Sequence, residues 1–287
     1  LKHLSITVII PCLNCSAYLK QALDSVLAQT DAVDEIIMVD DGSTDKSAEL
    51  ALEILSETDI PFRIVRQANA GLGAARNRAI QEASSEWIAM LDADDVWFPE
   101  KIQKIRTVLN SSTRKPDVLY HSTRSVGGGR DRICRPVWGV DDILARGNAP
   151  VPSACVIQLS SIQKLNGFSE ERKHLGAEDL HLWIRMLRAG MRFESLQEFL
   201  GSYRYGGMSS MLSTHLNHVE AVLKDLHRVG YISDEHLRQA NDRKHYEAGR
   251  AHHKEGRFKK AIGFYDMVPL DTKALVFRIL AFMRIKL

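Results

Sequence analysis

The stretch SITVIIPCLNCSAYLKQALDSVLAQTDAVDEIIMVDDGSTD (5–45) contains one full repeat of the architecture. Its opening residues, 5–10, are apolar or β-branched almost throughout, the pattern of a strand buried on both faces, and Pro11 with Asn14 is expected to end it. Ser16 is placed to cap a helix in which Tyr18, Leu19, Ala22, Leu23, Val26 and Leu27 recur at helical spacing. A second strand over Glu35 to Val39 then runs into an acidic turn, where Asp45 is read as the cap of the next helix.

The same alternation continues outward. A helix is expected over 45–57, a strand over Phe62 to Val65, a helix over 72–83 and a strand over Trp87 to Leu91. Alternating strands and helices imply an α/β fold, a mostly parallel sheet covered by helices on both faces. From 100 to 200 the rhythm weakens to a helix near 100–110, a strand near 117–122, a strand near 153–158 and a helix near 178–189. Residues 123–136, with Gly127, Gly128 and Gly129, read as an irregular loop. Beyond 212 charged amphipathic helices take over, so a boundary near 208–214 divides the chain into an α/β domain (1–210) and a helical extension (211–287).

Composition excludes several classes. The chain has 287 residues, 45% of them apolar and 26% charged, which fits a globular protein of about two domains. Its 38 basic and 36 acidic residues nearly cancel, so it lacks the charge footprint of a nucleic-acid binder and no nucleic-acid partner is expected. Four cysteines are too few for a disulfide framework, and Cys12-x-x-Cys15 has neither a second pair nor clustered histidines to complete a zinc site. These cysteines are read as free thiols in a reducing compartment. No apolar run reaches the roughly 18 residues of a membrane span, and residues 4–13 read as the first strand rather than a signal peptide.

The chemistry gathers at strand ends. Asp40 and Asp41 follow one strand, and Asp92, Asp94 and Asp95 follow another, at the edge where open α/β sheets bind ligands. Like charges in one cleft repel unless a cation or hydrogen-bond donors compensate. All-oxygen ligands suit Mg²⁺ or Mn²⁺, so Asp92 and Asp94 are the candidate metal ligands.

ITVIIPCLN (6–14), VDDGSTD (39–45), NAGLGAARN (69–77), MLDADD (90–95) and GAEDLHLW (176–183) together resemble the ordered signature of family 2 glycosyltransferases, inverting enzymes of the GT-A fold. The likeness covers about residues 5–210. It implies that Pro11, Leu13 and Asn14 line a nucleotide-base pocket and that Asp41 accepts a hydrogen bond from the base imide. Arg76 would lie near the nucleotide and pair with a phosphate, although an ion pair on a helix surface also explains an arginine there. Asp92 and Asp94 would hold the donor through Mn²⁺ or Mg²⁺, with Asp95 supporting them or touching the donor sugar. Asp179 would be the general base, with Glu178 beside it at a helix start, where the helix dipole also favours acidic residues. Trp97 is read either as a sugar-stacking residue or as part of the core, and Trp183 chiefly as core. The family often has Tyr-Arg-x-His near the metal or diphosphate, where this chain reads Tyr203-Arg204-Tyr205-Gly206.

The resemblance therefore implies transfer of a sugar from a nucleotide-diphospho-sugar, with a UDP-linked sugar the expected donor, to a saccharide or lipid-linked acceptor in polysaccharide or glycan assembly. The competing expectation is a catalytically weak nucleotide-binding scaffold in a glycan assembly complex, whose helical tail recruits partners. Within that tail, residues 246–269 resemble one tetratricopeptide helix pair, short of the roughly three repeats a stable array needs. KALVFRILAFMRIKL (273–287) suits either a membrane surface or a docked terminal helix. The expected location is the cytoplasm, with at most peripheral contact at the inner face of a membrane.

Overall fold

The computed structural model describes residues 3–147, 149–205, 212–268 and 272–287. The first part alternates as expected: β1 (Ile6–Cys12), α1 (Ser16–Leu27), β2 (Glu35–Asp40), α2 (Ser47–Leu55), β3 (Phe62–Arg66), α3 (Leu72–Glu82) and β4 (Trp87–Met90). Then follow β5 (Val96–Trp97), α4 (Lys101–Ser111), β6 (Val118–Val126), α5 (Val140–Leu144), β7 (Cys155–Gln158), α6 (Leu159–Lys164), α7 (Glu178–Arg188) and β8 (Phe193–Arg204). Helices α8 (Leu212–Arg228), α9 (Asp234–Lys254), α10 (Phe258–Tyr265) and α11 (Thr272–Phe282) complete the chain. Among the described residues no helix is long and apolar enough to cross a membrane.

The strands form one sheet in the order β3-β2-β1-β4-β7-β6-β8-β5. Strands β3, β2, β1 and β4 run parallel, β7 runs antiparallel to both β4 and β6, and β8 runs parallel to β6 and antiparallel to β5. Side chains alternate across a strand, so Ile9, Ile37, Val39, Ile88 and Met90 enter one core, with Ala75 and Ala79 of α3 and Trp183 of α7. Val8, Ile10, Ile36, Met38 and Ala89 enter the other, under α1, α2 and α4. Double coverage is what the continuous apolar strands require.

Several expectations are corrected. Pro11 does not end β1: pairing with β4 stops at Ile9, while Pro11 still pairs with Val39 of β2, so its missing N–H lies beyond the β4 ladder. Ser16 does not cap α1, because Cys15 occupies that position without a side-chain cap bond. Asp45 instead accepts from the first backbone N–H of two helices, Ser16 at 3.1 Å and Ser47 at 3.0 Å. Cys12 and Cys15 are not free thiols but a disulfide, because the turn between β1 and α1 folds back and brings their Cα atoms to 5.9 Å. The stretch 123–136 is not wholly irregular: β6 runs to Val126 and Thr123 bridges back to Arg132. β5, α5, α6 and β8 were not legible as separate elements; β8 is half-exposed and its apolar positions do not alternate cleanly.

The expected boundary near 208–214 falls largely outside the described residues, which resume at 212. From there Val222, Leu223 and Leu226 of α8 and Ala240 of α9 join the core that contains Ile9 and Trp183. A separate small core forms around Ala261, Tyr265 and Ala281. Gly249 makes it possible: a Cβ there would stand 2.6 Å from the Tyr265 ring.

Candidate functional site

The carboxyl ends of β1, β2 and β4 and the amino ends of α3 and α7 surround one cavity of about 990 Å³. Pro11, Leu13, Asn14 and Asp41 line it at one end, and Asp92, Asp94, Asp95 and Asp179 line it too. Leu216 and Val219 of α8 and Arg243 and Lys244 of α9 add a wall from the C-terminal helices.

At the β1–β2 end, Leu13 is half-exposed while Asn14 takes a left-handed conformation, φ 51°. The Asn14 side-chain Oδ1 accepts from the Thr44 N–H at 2.8 Å, which pins the acidic turn against the β1 loop. Asp41 is buried and accepts from Ala70 N, Gly71 N and Gln67 Nε2 at 2.7–2.8 Å. A carboxylate offers about four lone-pair sites, so one is left on Oδ2 for a ligand.

Helix α3 organises the centre. Gly73, Arg76 and Asn77 stand at i, i+3 and i+4, one face of the helix, turned to the segment before α7. A Cβ on Gly73 would lie 2.1 Å from Ser169 O, so only glycine allows the approach. Asn77 clamps the same segment through Phe168, accepting from its N–H at 2.7 Å and donating to its carbonyl at 3.0 Å. Arg76 is buried beside the Phe168 ring and donates through Nη1 to Glu178 at 2.6 Å and through Nη2 to Asp92 at 2.7 Å. Burial works against its charge, but the Asp92 and Glu178 carboxylates outweigh that and raise its pKa.

This geometry bears on three expected roles. Arg76 makes an ion pair, as one of the two expectations had it, but a buried one with Glu178 and Asp92 rather than one on the helix surface. Glu178 is buried in the cavity wall with both oxygens engaged, one by Arg76 and the other accepting from Gly176 N at 2.6 Å. Trp97 is a core residue rather than a sugar platform, with Nε1 donating to Ser153 O at 3.0 Å and Lys101 Nζ 3.8 Å from its ring centroid. Trp183 is likewise buried, donating to Pro150 O.

Burial and the Asp92 charge raise the pKa of Asp94, and the same two causes push Asp95 up to about 7. Asp95 also accepts from Arg204 N at 2.8 Å, which ties β8 to the β4 turn. Asp179 is pushed up to about 7, by burial and then by the Glu178 charge, with Arg76 partly offsetting both. A carboxyl near neutrality facing a cavity is suited to take a proton.

Two supports escaped sequence reasoning. Ser153 is a hub: its Oγ accepts from Asp92 N at 3.0 Å, and its carbonyl accepts from Trp97 and from Lys101 at 2.8 Å. His174 bonds Ser169 Oγ at 2.7 Å and Asp225 of α8 at 3.0 Å, linking the C-terminal helices to the segment before α7. Ser153 stands in no periodic or charged pattern, and His174 ends a charged run (170–174) that reads as exposed surface. Glu171, His174 and Asp225 lie close enough to share a metal, but Lys173 Nζ already stands 2.9 Å from Glu171 and 2.5 Å from Asp225.

Residues 7–133 match the family model described as Glycosyl transferase family 2. An uncharacterized glycosyltransferase of a Nostoc species is 31% identical over 220 residues, covering 73% of this chain and 67% of that protein. Among solved structures, S. aureus TarS 1-349 in complex with UDP-GlcNAc is similar with a TM-score of 0.66 at 16% identity, covering 98% of this chain and 88% of that one. The mannosyltransferase PcManGT from Pyrobaculum calidifontis, in complex with GDP-Man and Mn²⁺, is similar with a TM-score of 0.67 at 17% identity, covering 99% and 84%. At these identities the two structures establish a shared fold, a GT-A-like sheet flanked by helices.

Proposed function

We propose, from the premise that the chain belongs to glycosyl transferase family 2, that it moves a sugar with inversion from a nucleotide-diphospho-sugar to a hydroxyl of a saccharide or lipid-linked acceptor. The observation that carries this reading is one cavity into which the strand-end acids and a carboxyl poised near neutrality, Asp179, both open. Residues 1–210 form the transferase domain and 211–287 the helical extension, whose α8 and α9 wall off the acceptor side. A UDP-sugar is the first donor to test, on the strength of TarS bound to UDP-GlcNAc; GDP-Man in the mannosyltransferase makes the guanine nucleotide the second. The setting is polysaccharide or glycan assembly at a cytoplasmic membrane face, with peripheral contact through the last helices.

In this reading Pro11, Leu13 and Asn14 wall the base, and the remaining lone pair of Asp41 accepts its imide N–H. The strand-end acids fit a divalent cation. Asp92 keeps Oδ2 free of Arg76, and Asp94 and Asp95 are crowded and raised in pKa, the condition a cation relieves. The donor set is all oxygen, which suits Mg²⁺ or Mn²⁺, with Asp92 and Asp94 as ligands and Asp95 behind them. When bound, the ion supplies charge neutralisation for the leaving diphosphate.

Asp179 takes the proton from the acceptor hydroxyl as that oxygen bonds the anomeric carbon and the bond to the diphosphate breaks. Attack from the opposite face inverts the centre, so one base suffices. Arg76 is a positioning residue: one guanidinium fixes Asp92 on the donor side and Glu178 next to the base.

Asp179→Asn tests the reading. Turnover of the donor, including its slow hydrolysis by water, is expected to fall at least about a hundredfold while UDP binding stays within about twofold. Nucleotide binding by a wild type that turns over no donor with any acceptor would favour the scaffold reading instead.

A further inference from the structure

The last helix has two faces that differ in kind. Phe277 and Ala281 pack with Tyr265 and Tyr246 in the small C-terminal core, and Ala274 on the same helix face is buried as well. Leu275, Val276, Ile279, Phe282 and Met283 are all exposed, Phe282 by 80% and Met283 by 61%. At 100° per residue these five fall within an arc of about 120°, a continuous apolar stripe. Single exposed apolar residues are ordinary, but a contiguous stripe on one helix face calls for a partner.

Charge identifies that partner. Residues 250–287 hold nine Lys or Arg against three Asp or Glu, in a chain whose overall excess is only two, so the rest of the molecule is net acidic. Residues 272–287 hold four basic residues and no acidic one, and Lys259 and Lys260 of the neighbouring α10 are exposed as well. A second copy set on this stripe would bring two basic ends together. An apolar stripe flanked by basic residues is instead complementary to an anionic lipid surface, into which such a helix lies in the interface plane.

We infer that the exposed face of α11 docks the protein on an anionic membrane surface. This deepens the peripheral contact proposed above by naming its residues and its partner. Because the buried face of α11 ties it to α9 and α10, docking would hold the cavity at a fixed position relative to the bilayer, within reach of a lipid-linked acceptor.

The test is co-sedimentation of the 287-residue chain with vesicles of phosphatidylcholine alone and of phosphatidylcholine with about 30% phosphatidylglycerol. Binding only to the anionic vesicles, reversed by high salt, is expected. The solvent-facing pair I279S/F282S and the charge pair R284E/K286E should each weaken partitioning at least about tenfold. Neither pair touches the buried face, and unchanged circular dichroism and UDP binding would confirm intact variants. Absence of wild-type binding to anionic vesicles overturns the inference. So does self-association in sedimentation velocity that I279S/F282S abolishes, which would assign the stripe to a second copy. UDP binding and donor turnover, measured without vesicles, report separately on the transferase reading.

Discussion

Asp179 shows how one residue's environment sets its chemistry. Burial and the Glu178 carboxylate push it up to about 7, so it is largely protonated in mildly acidic solution and able to accept a proton only above that. Turnover is therefore expected to rise through about pH 7 and level off above it, and a flat profile between pH 5.5 and 8.5 would contradict the assignment. The same shift bears on stability, with a sign that can be worked out. The folded-state pKa lies above the ordinary carboxyl value of 3.8, so this carboxyl's contribution is full below about 4 and is lost as the pH climbs to about 7. Asp179→Asn should accordingly gain stability relative to wild type across that window, with a constant gap at higher pH, as measured by urea denaturation at a series of pH values. A residue that is better for the fold when neutral and better for the reaction when charged is the usual mark of a functional site.

At the scale of elements, α3 holds the site together through one face. Gly73→Ala would place a Cβ 2.1 Å from Ser169 O and push away the segment that leads to Asp179, so both the melting temperature and donor turnover should fall. Arg76→Met leaves Glu178 and Asp92 without their cation, an uncompensated buried charge that costs about 3–5 kcal/mol, readable as a lower urea midpoint. Arg76→Lys should restore only part of that, because an ammonium lacks the fork that spans two carboxylates. The sequence made α3 visible through NAGLGAARN, but its face was legible only once the partner segment was in place. Local periodicity located β1 to β4 and α1 to α4, whose apolar stripes are strong. It missed β8, whose exposure alternates poorly, and the Ser153 and His174 hubs, whose bonds join residues far apart in sequence. It did not show that Arg76 and Glu178 pair inside the protein, because a charged residue is read as exposed until its buried partner is known. The Cys12–Cys15 pairing escaped because a lone C-x-x-C says nothing of how tightly the turn between β1 and α1 closes.

Over the whole molecule, the parallel strands bring acids from β2 and β4 to one edge, and the C-terminal helices close the far side of the same cavity. The crowded carboxyls there repel one another, so Mn²⁺ with UDP should raise the melting temperature of wild type and leave Asp94→Ala nearly unmoved. The proposed binding of a nucleotide-diphospho-sugar at this edge through a divalent cation is tested by calorimetric titration of UDP, and in parallel GDP, into wild type and Asp94→Ala, each with and without Mn²⁺. One nucleotide is expected to bind wild type in a Mn²⁺-dependent way and Asp94→Ala to lose that binding; for both nucleotides, equal binding in all four conditions, or none in any, would contradict the assignment.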